Sequence, residues 1–101
     1  MELEKHRTVV DGLETTYYEA GQGEPLLFLH GGRVQALTFK KNIQLLAERY
    51  YVIAPDIPGY GESETPHEVW SFVEYGRFFE AFLQQRQLQE VTVVGLSLIH
   101  I

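Results

Sequence analysis

Residues 26–32, Leu26-Leu27-Phe28-Leu29-His30-Gly31-Gly32, decide the fold. Four apolar residues with no polar alternation read as a strand covered on both faces, the habit of a parallel sheet. The His-Gly-Gly that follows turns the chain sharply, because glycine has no Cβ to oppose the turn or to keep a ligand from its N–H. The same strand-then-turn pattern comes twice more. Tyr51-Val52-Ile53-Ala54-Pro55 leads into Asp56-Ile57-Pro58-Gly59-Tyr60-Gly61-Glu62-Ser63, and Val91-Thr92-Val93-Val94-Gly95 leads into Leu96-Ser97.

Between these runs the apolar period changes from that of a strand to that of a helix. From about Leu37 to Tyr50, the residues Phe39, Ile43, Leu46 and Ala47 share one face, with Lys40, Lys41, Gln44 and Glu48 elsewhere. Thr65-Pro66-His67-Glu68 reads as a helix start, with Thr65 as N-cap, Pro66 in the first helical position and Glu68 closing a capping box. Val69, Phe72, Val73, Phe79, Phe82 and Leu83 then form its apolar stripe, weakened at Gly76. Upstream, Thr8-Val9-Val10, Asp11-Gly12 and Leu13 to Glu19 read as a hairpin, since Asp-Gly supplies the positive φ angles of a tight turn. The order is hairpin, β, α, β, α, β. Alternating strands and helices predict an α/β fold: a mostly parallel sheet with helices on its faces. Ligands of such sheets lie beyond the carboxyl ends of the strands, where all three turns fall.

Composition limits the partners. The chain has 101 residues, enough for one domain, and 14 acidic against 8 basic side chains give a net charge of −6. That balance argues against nucleic acid and anionic membrane surfaces as partners. There is no cysteine, so disulfides and thiolate metal sites are excluded. Met1 to His6 shows no cationic segment followed by an apolar stretch, and a cytoplasmic location is expected.

Taken together, His30-Gly31-Gly32, Asp56-x-Pro58-Gly59-x-Gly61-x-Ser63 and the Val-Val-Gly before Ser97 resemble the N-terminal part of an α/β-hydrolase fold protein, from about Thr8 to Gly95. In that family a nucleophile sits in G-x-S-x-G, a strained turn between strand and helix. The resemblance implies Ser97 at the nucleophile position, with the backbone N–H groups of Gly32 and Leu98 as oxyanion donors. It implies that His30, Gly31 and Arg33 stand near the substrate, His30 bracing the oxyanion loop rather than acting as general base. It also implies that Asp56 and Ser63 shape a turn rather than react. The activity implied is hydrolysis of a small ester-type substrate without metal or organic cofactor. An aspartate nucleophile would instead give an epoxide hydrolase or haloalkane dehalogenase, and a broken triad would leave a binding module.

The elbow departs from pattern at Ile99, where a small residue is needed, and at Leu96. His100 stands too close to Ser97 to be the triad histidine, so the acid and the histidine are expected outside this chain. Leu96-Ser97-Leu98-Ile99-His100-Ile101 also matches the translation of a transposon-end adapter used in sequencing libraries. Residues 1–95 are therefore expected to be hydrolase-like and residues 96–101 a non-native tail. The 101-residue chain is expected to be inactive, with its last strand left as an apolar edge prone to aggregation.

Overall fold

The computed structural model describes residues 2–30 and 35–95, the side chain of residue 72 excepted. Strands β1 (Glu4–Val10) and β2 (Leu13–Ala20) form the hairpin. Val10 faces Leu13 across the turn, and Asp11 and Gly12 take φ angles of 47° and 81°. Two positive φ angles in a two-residue loop match the right-handed twist of the flanking strands. Next come β3 (Glu24–Leu29), a 3₁₀ turn at Ala36–Phe39, helix α1 (Lys40–Leu46), β4 (Tyr50–Pro55), helix α2 (Phe72–Gln85) and β5 (Thr92–Gly95).

The five strands lie in the order β1-β2-β4-β3-β5. The hairpin joins through antiparallel pairs, β1 with β2 and β2 with β4, whereas β3 is parallel to both β4 and β5. Because β4 and β5 lie on opposite sides of β3, right-handed crossovers send the two helices to opposite faces of the sheet. Side-chain alternation supplies a core to each. Leu27, Leu29 and Ile53 point with Tyr17 toward Phe78, Phe79 and Phe82 of α2. Leu26, Phe28, Val52 and Ala54 point toward Ala36, Ile43 and Ala47 beside α1.

Helix α2 starts later than the sequence suggests. Thr65 to Trp70 is not helical, and Ser71 is the N-cap, closing a capping box with Glu74. The Ser71 N–H donates to Glu74 Oε2 at 2.5 Å, and its hydroxyl donates to the same carboxylate. Two capping boxes compete in this stretch, and packing selects the second. Trp70, just before the N-cap, meets Tyr75 edge to face at 5.3 Å, which is the hydrophobic staple of a helix beginning at residue 72. A helix beginning at Thr65 would offer Glu64 to Val69 instead, which is no staple. The apolar stripe shifts accordingly. Tyr75, Phe78, Phe79 and Phe82, at i, i+3, i+4 and i+7, cover the sheet, with each fully buried Phe worth about 1.5–3 kcal/mol. Val69 is wholly exposed and Val73 largely so.

Candidate active site at the strand exits

The chain leaves β3 and β4 at the same edge, and side chains tie the two exits together. His30, the first residue after β3, is 1% exposed. Its Nε2 accepts the backbone N–H of Ile57 at 2.9 Å. A ring nitrogen that accepts must carry a lone pair, so the imidazole is neutral with its proton on Nδ1. Asp56, the first residue after β4, is fully buried and accepts twice. Oδ1 takes the N–H of Ala36 at 2.8 Å, and Oδ2 takes the N–H of Glu62 at 3.0 Å. His30 and Ala36 flank residues 31–34, and both are bonded to the exit of β4.

The turn at 56–63 is fastened to the sheet by a second set of bonds. Ser63 Oγ donates to the Asp56 carbonyl at 2.7 Å and accepts the Thr16 N–H at 3.0 Å, so its hydroxyl is used up in structure. The N–H of Asp56 donates to the Thr16 carbonyl, and that of Glu64 to the Glu14 carbonyl, both at 2.8 Å. Gly61 has a φ of 55°, and a Cβ there would stand 2.4 Å from the Asp56 carboxylate. No other residue fits that position. Beneath the turn, burial together with the nearby Asp56 and Glu62 charges pushes the Tyr18 phenol up to about 12.

Of the residues the sequence points to, His30 lies at this junction, its ring also edge-on to Tyr60 at 6.0 Å. Gly31, Gly32, Arg33, Ser97 and Leu98 lie outside the described residues, as does the departure at Leu96 and Ile99. The structure adds what the sequence reading did not contain: the Asp56 carboxylate reaches back to Ala36, twenty residues earlier. The signal available was an acid at a strand end with a glycine five residues on, room for a side chain that folds back into its own turn.

One other cluster among the described residues has metal-ligand chemistry. Glu4, His6 and Glu19 bring one ligand atom each within 4.8 Å of one another on the outer strands β1 and β2. His6 Nε2 stands 2.9 Å from Glu19 Oε1, and the Tyr51 hydroxyl donates to Glu19 Oε2 at 2.5 Å. The approach of His6 to Glu19, the tyrosine bond and the stacking of His6 on Tyr17 make the group a cross-strand polar cluster. The His6 side chain is partly exposed. Two strands, β2 and β4, separate β1 from β3.

Known proteins share this fold. The profile of the alpha/beta hydrolase fold family matches residues 24–98, about three quarters of the chain. A soluble epoxide hydrolase of Corynebacterium sp. is 40% identical over 65 residues, which cover 64% of this chain and 23% of that protein. A haloalkane dehalogenase of Bradyrhizobium diazoefficiens is 32% identical over 97 residues, covering 94% of this chain and 31% of the relative. Among solved structures, the epoxide hydrolase CorEH superposes with a TM-score of 0.88 at 31% identity, over 93% of this chain and 33% of that one. An epoxide hydrolase from Vigna radiata gives 0.85 at 27% identity, over 93% and 32%. The chain spans a third or less of the length of these relatives. Among the described residues no helix is long and apolar enough to cross a membrane. The strand order, the clasped turn after β4 and these matches together establish that the chain belongs to the alpha/beta hydrolase fold family.

Proposed function

We propose that this chain forms the oxyanion side of an enzyme that hydrolyses a small organic substrate through a nucleophile at position 97. One observation carries the reading: Leu29 and Gly95 are register partners in the parallel pair of β3 and β5. Neighbouring strands run about 4.8 Å apart, so β3 and β5 end side by side, just before the positions this reading gives to the oxyanion donor and the nucleophile. In this reading the Gly32 N–H and that of residue 98 hold the developing oxyanion, each donor contributing about 3–4 kcal/mol. Gly31 and Arg33 line the near side of the substrate, with His30 and Asp56 holding the loop from beneath. With serine at position 97, its Oγ attacks an ester carbonyl as a histidine supplied elsewhere in the parent takes the proton. The alcohol then leaves, and water hydrolyses the acyl-enzyme.

A second chemistry is also compatible with the relatives. An epoxide hydrolase and a haloalkane dehalogenase stand among them. With aspartate at position 97, the carboxylate would attack carbon, open the epoxide or expel halide, and leave an ester for water to cleave. Reading the source DNA through codon 95 and onward separates the two, and also tests whether residues 96–101 belong to the protein. A codon for serine or aspartate, followed later by an acid and a histidine, is the expected result; neither residue at that place would refute the reading. The 101-residue chain alone should not turn over p-nitrophenyl esters, for His100 is the one titratable side chain after Ser97. Ester turnover abolished by Ser97→Ala would contradict this.

A further inference from the structure

Between the turn after β4 and the start of α2 lies an open cavity of about 390 Å³, within the range of roughly 300–1,000 Å³ typical of small-molecule sites. Its walls are unusual for a surface cleft. Tyr60, Trp70 and Tyr75 contribute three half-buried aromatic rings, Pro66 an apolar floor, and Glu68 a carboxylate. Among the described residues no lysine or arginine lines it. Trp70 and Tyr75 meet edge to face at 5.3 Å and 73°, so one ring of the pair keeps both its faces clear of the other. Burial raises the Tyr75 phenol above its ordinary range, and the nearby Tyr60 adds to the rise.

We infer that this cavity binds a small quaternary ammonium ion, held on the faces of Tyr60, Trp70 and Tyr75 and balanced by Glu68. Aromatic rings attract a cation through their quadrupole, most strongly from tryptophan, and the net charge of −6 favours cations over anions at the surface. The chemistry of the walls selects among cations. A primary ammonium or a guanidinium needs acceptors for three to five N–H groups, and rings and prolines supply few. A quaternary ammonium has no N–H to satisfy, so it loses no hydrogen bond on entering. Divalent metals need several oxygen ligands, against the one carboxylate present. Binding requires no turnover, so this inference and the proposed hydrolysis stand or fall separately.

Trp70 is the sole tryptophan of the chain and sits in the wall, so its fluorescence reports occupancy directly. The test titrates the 101-residue chain, carried on a tryptophan-free solubility fusion, with choline chloride against matched sodium chloride. A parallel titration uses 3,3-dimethylbutan-1-ol, the uncharged carbon isostere of choline. The expected result is a saturable change with choline and binding about tenfold weaker or worse for the isostere. Glu68→Gln should weaken choline about twofold to fivefold, and Tyr60→Leu about threefold to tenfold, with far-UV circular dichroism unchanged. If Tyr60→Leu disturbs the fold, the exposed Glu68→Gln and the isostere decide the matter. Equal binding of choline and isostere, no saturation by about 100 mM, or a Glu68→Gln variant that binds like the parent would each overturn the inference.

Discussion

Two adjacent stretches follow β4, and they are held by different physics. Residues 56–63 are pinned by side chains bonded to backbone: Asp56 to Ala36 and Glu62, Ser63 to Asp56 and Thr16, and His30 to Ile57. Residues 65–70 are tied to α2 through ring contacts of Trp70 with Tyr75 and Phe78, next to a fully solvated Val69. The first stretch has directional bonds in a dry place, so every partner is specified. The second has apolar packing near water, which tolerates rearrangement.

The contrast can be broken most severely at Asp56. Asp56→Ala strands the buried N–H of Ala36 and the part-buried N–H of Glu62, which now meet a carboxylate, a loss of about 3 kcal/mol, whereas Glu68→Ala in the second stretch should change stability by less than about 0.5 kcal/mol. Urea titrations followed by Trp70 fluorescence measure both. Gly61→Ala comes next, at about 2 kcal/mol, because alanine at a φ of 55° is strained and its Cβ would drive into the Asp56 carboxylate. Asp56→Ala should relieve that clash, so the two changes should cost less together than their sum. Smaller again is the contest of the helix starts. Ser71→Ala should cost about 1 kcal/mol and lower α2 helicity, while Thr65→Ala should be silent. The reverse ranking would return the helix start to residue 65.

One further effect is invisible at neutral pH. Tyr18 has its folded pKa raised from 10 to about 12, so the unfolded chain releases that proton first. Its contribution is complete below pH 10 and is lost as pH rises toward 12. Burial raises Tyr17 and Tyr51 as well, the latter aided by its hydrogen bond to Glu19, and both add in the same direction. Stability measured by urea titration should fall across that window, and Tyr18→Phe should make the fall shallower. A slope unchanged by Tyr18→Phe would place the alkaline sensitivity elsewhere.

How legible each region was in the sequence follows from the same difference. Continuous apolar runs named β3 and β4, Asp11-Gly12 named the hairpin, and the spacing of Asp56, Pro58, Gly59, Gly61 and Ser63 named a tight turn, because local stereochemistry decides each. The bond from Asp56 to Ala36 was not readable, since it joins residues brought together only by the β3-α1-β4 crossover. The start of α2 was misread because Thr65-x-x-Glu68 and Ser71-x-x-Glu74 satisfy the same local rule. Tertiary packing of Trp70 on Tyr75 chooses between them, and Trp70 beside Ser71 was the overlooked sign. The site residues 31–33, 97 and 98 rest on the resemblance and on the register of Leu29 with Gly95.

The most direct test of the account is amide hydrogen exchange, residue by residue, on the full chain. If His30 and Asp56 lock the exits of β3 and β4 together, the amides of Ala36, Ile57 and Glu62 should be protected, while those of His67 to Val69 exchange at nearly the rate of an unfolded peptide. His30→Ala should release Ile57 selectively and leave Glu62 slow. Exchange at Ala36 and Ile57 as fast as at Val69 would mean that the exits are not clasped, and the central claim would fail.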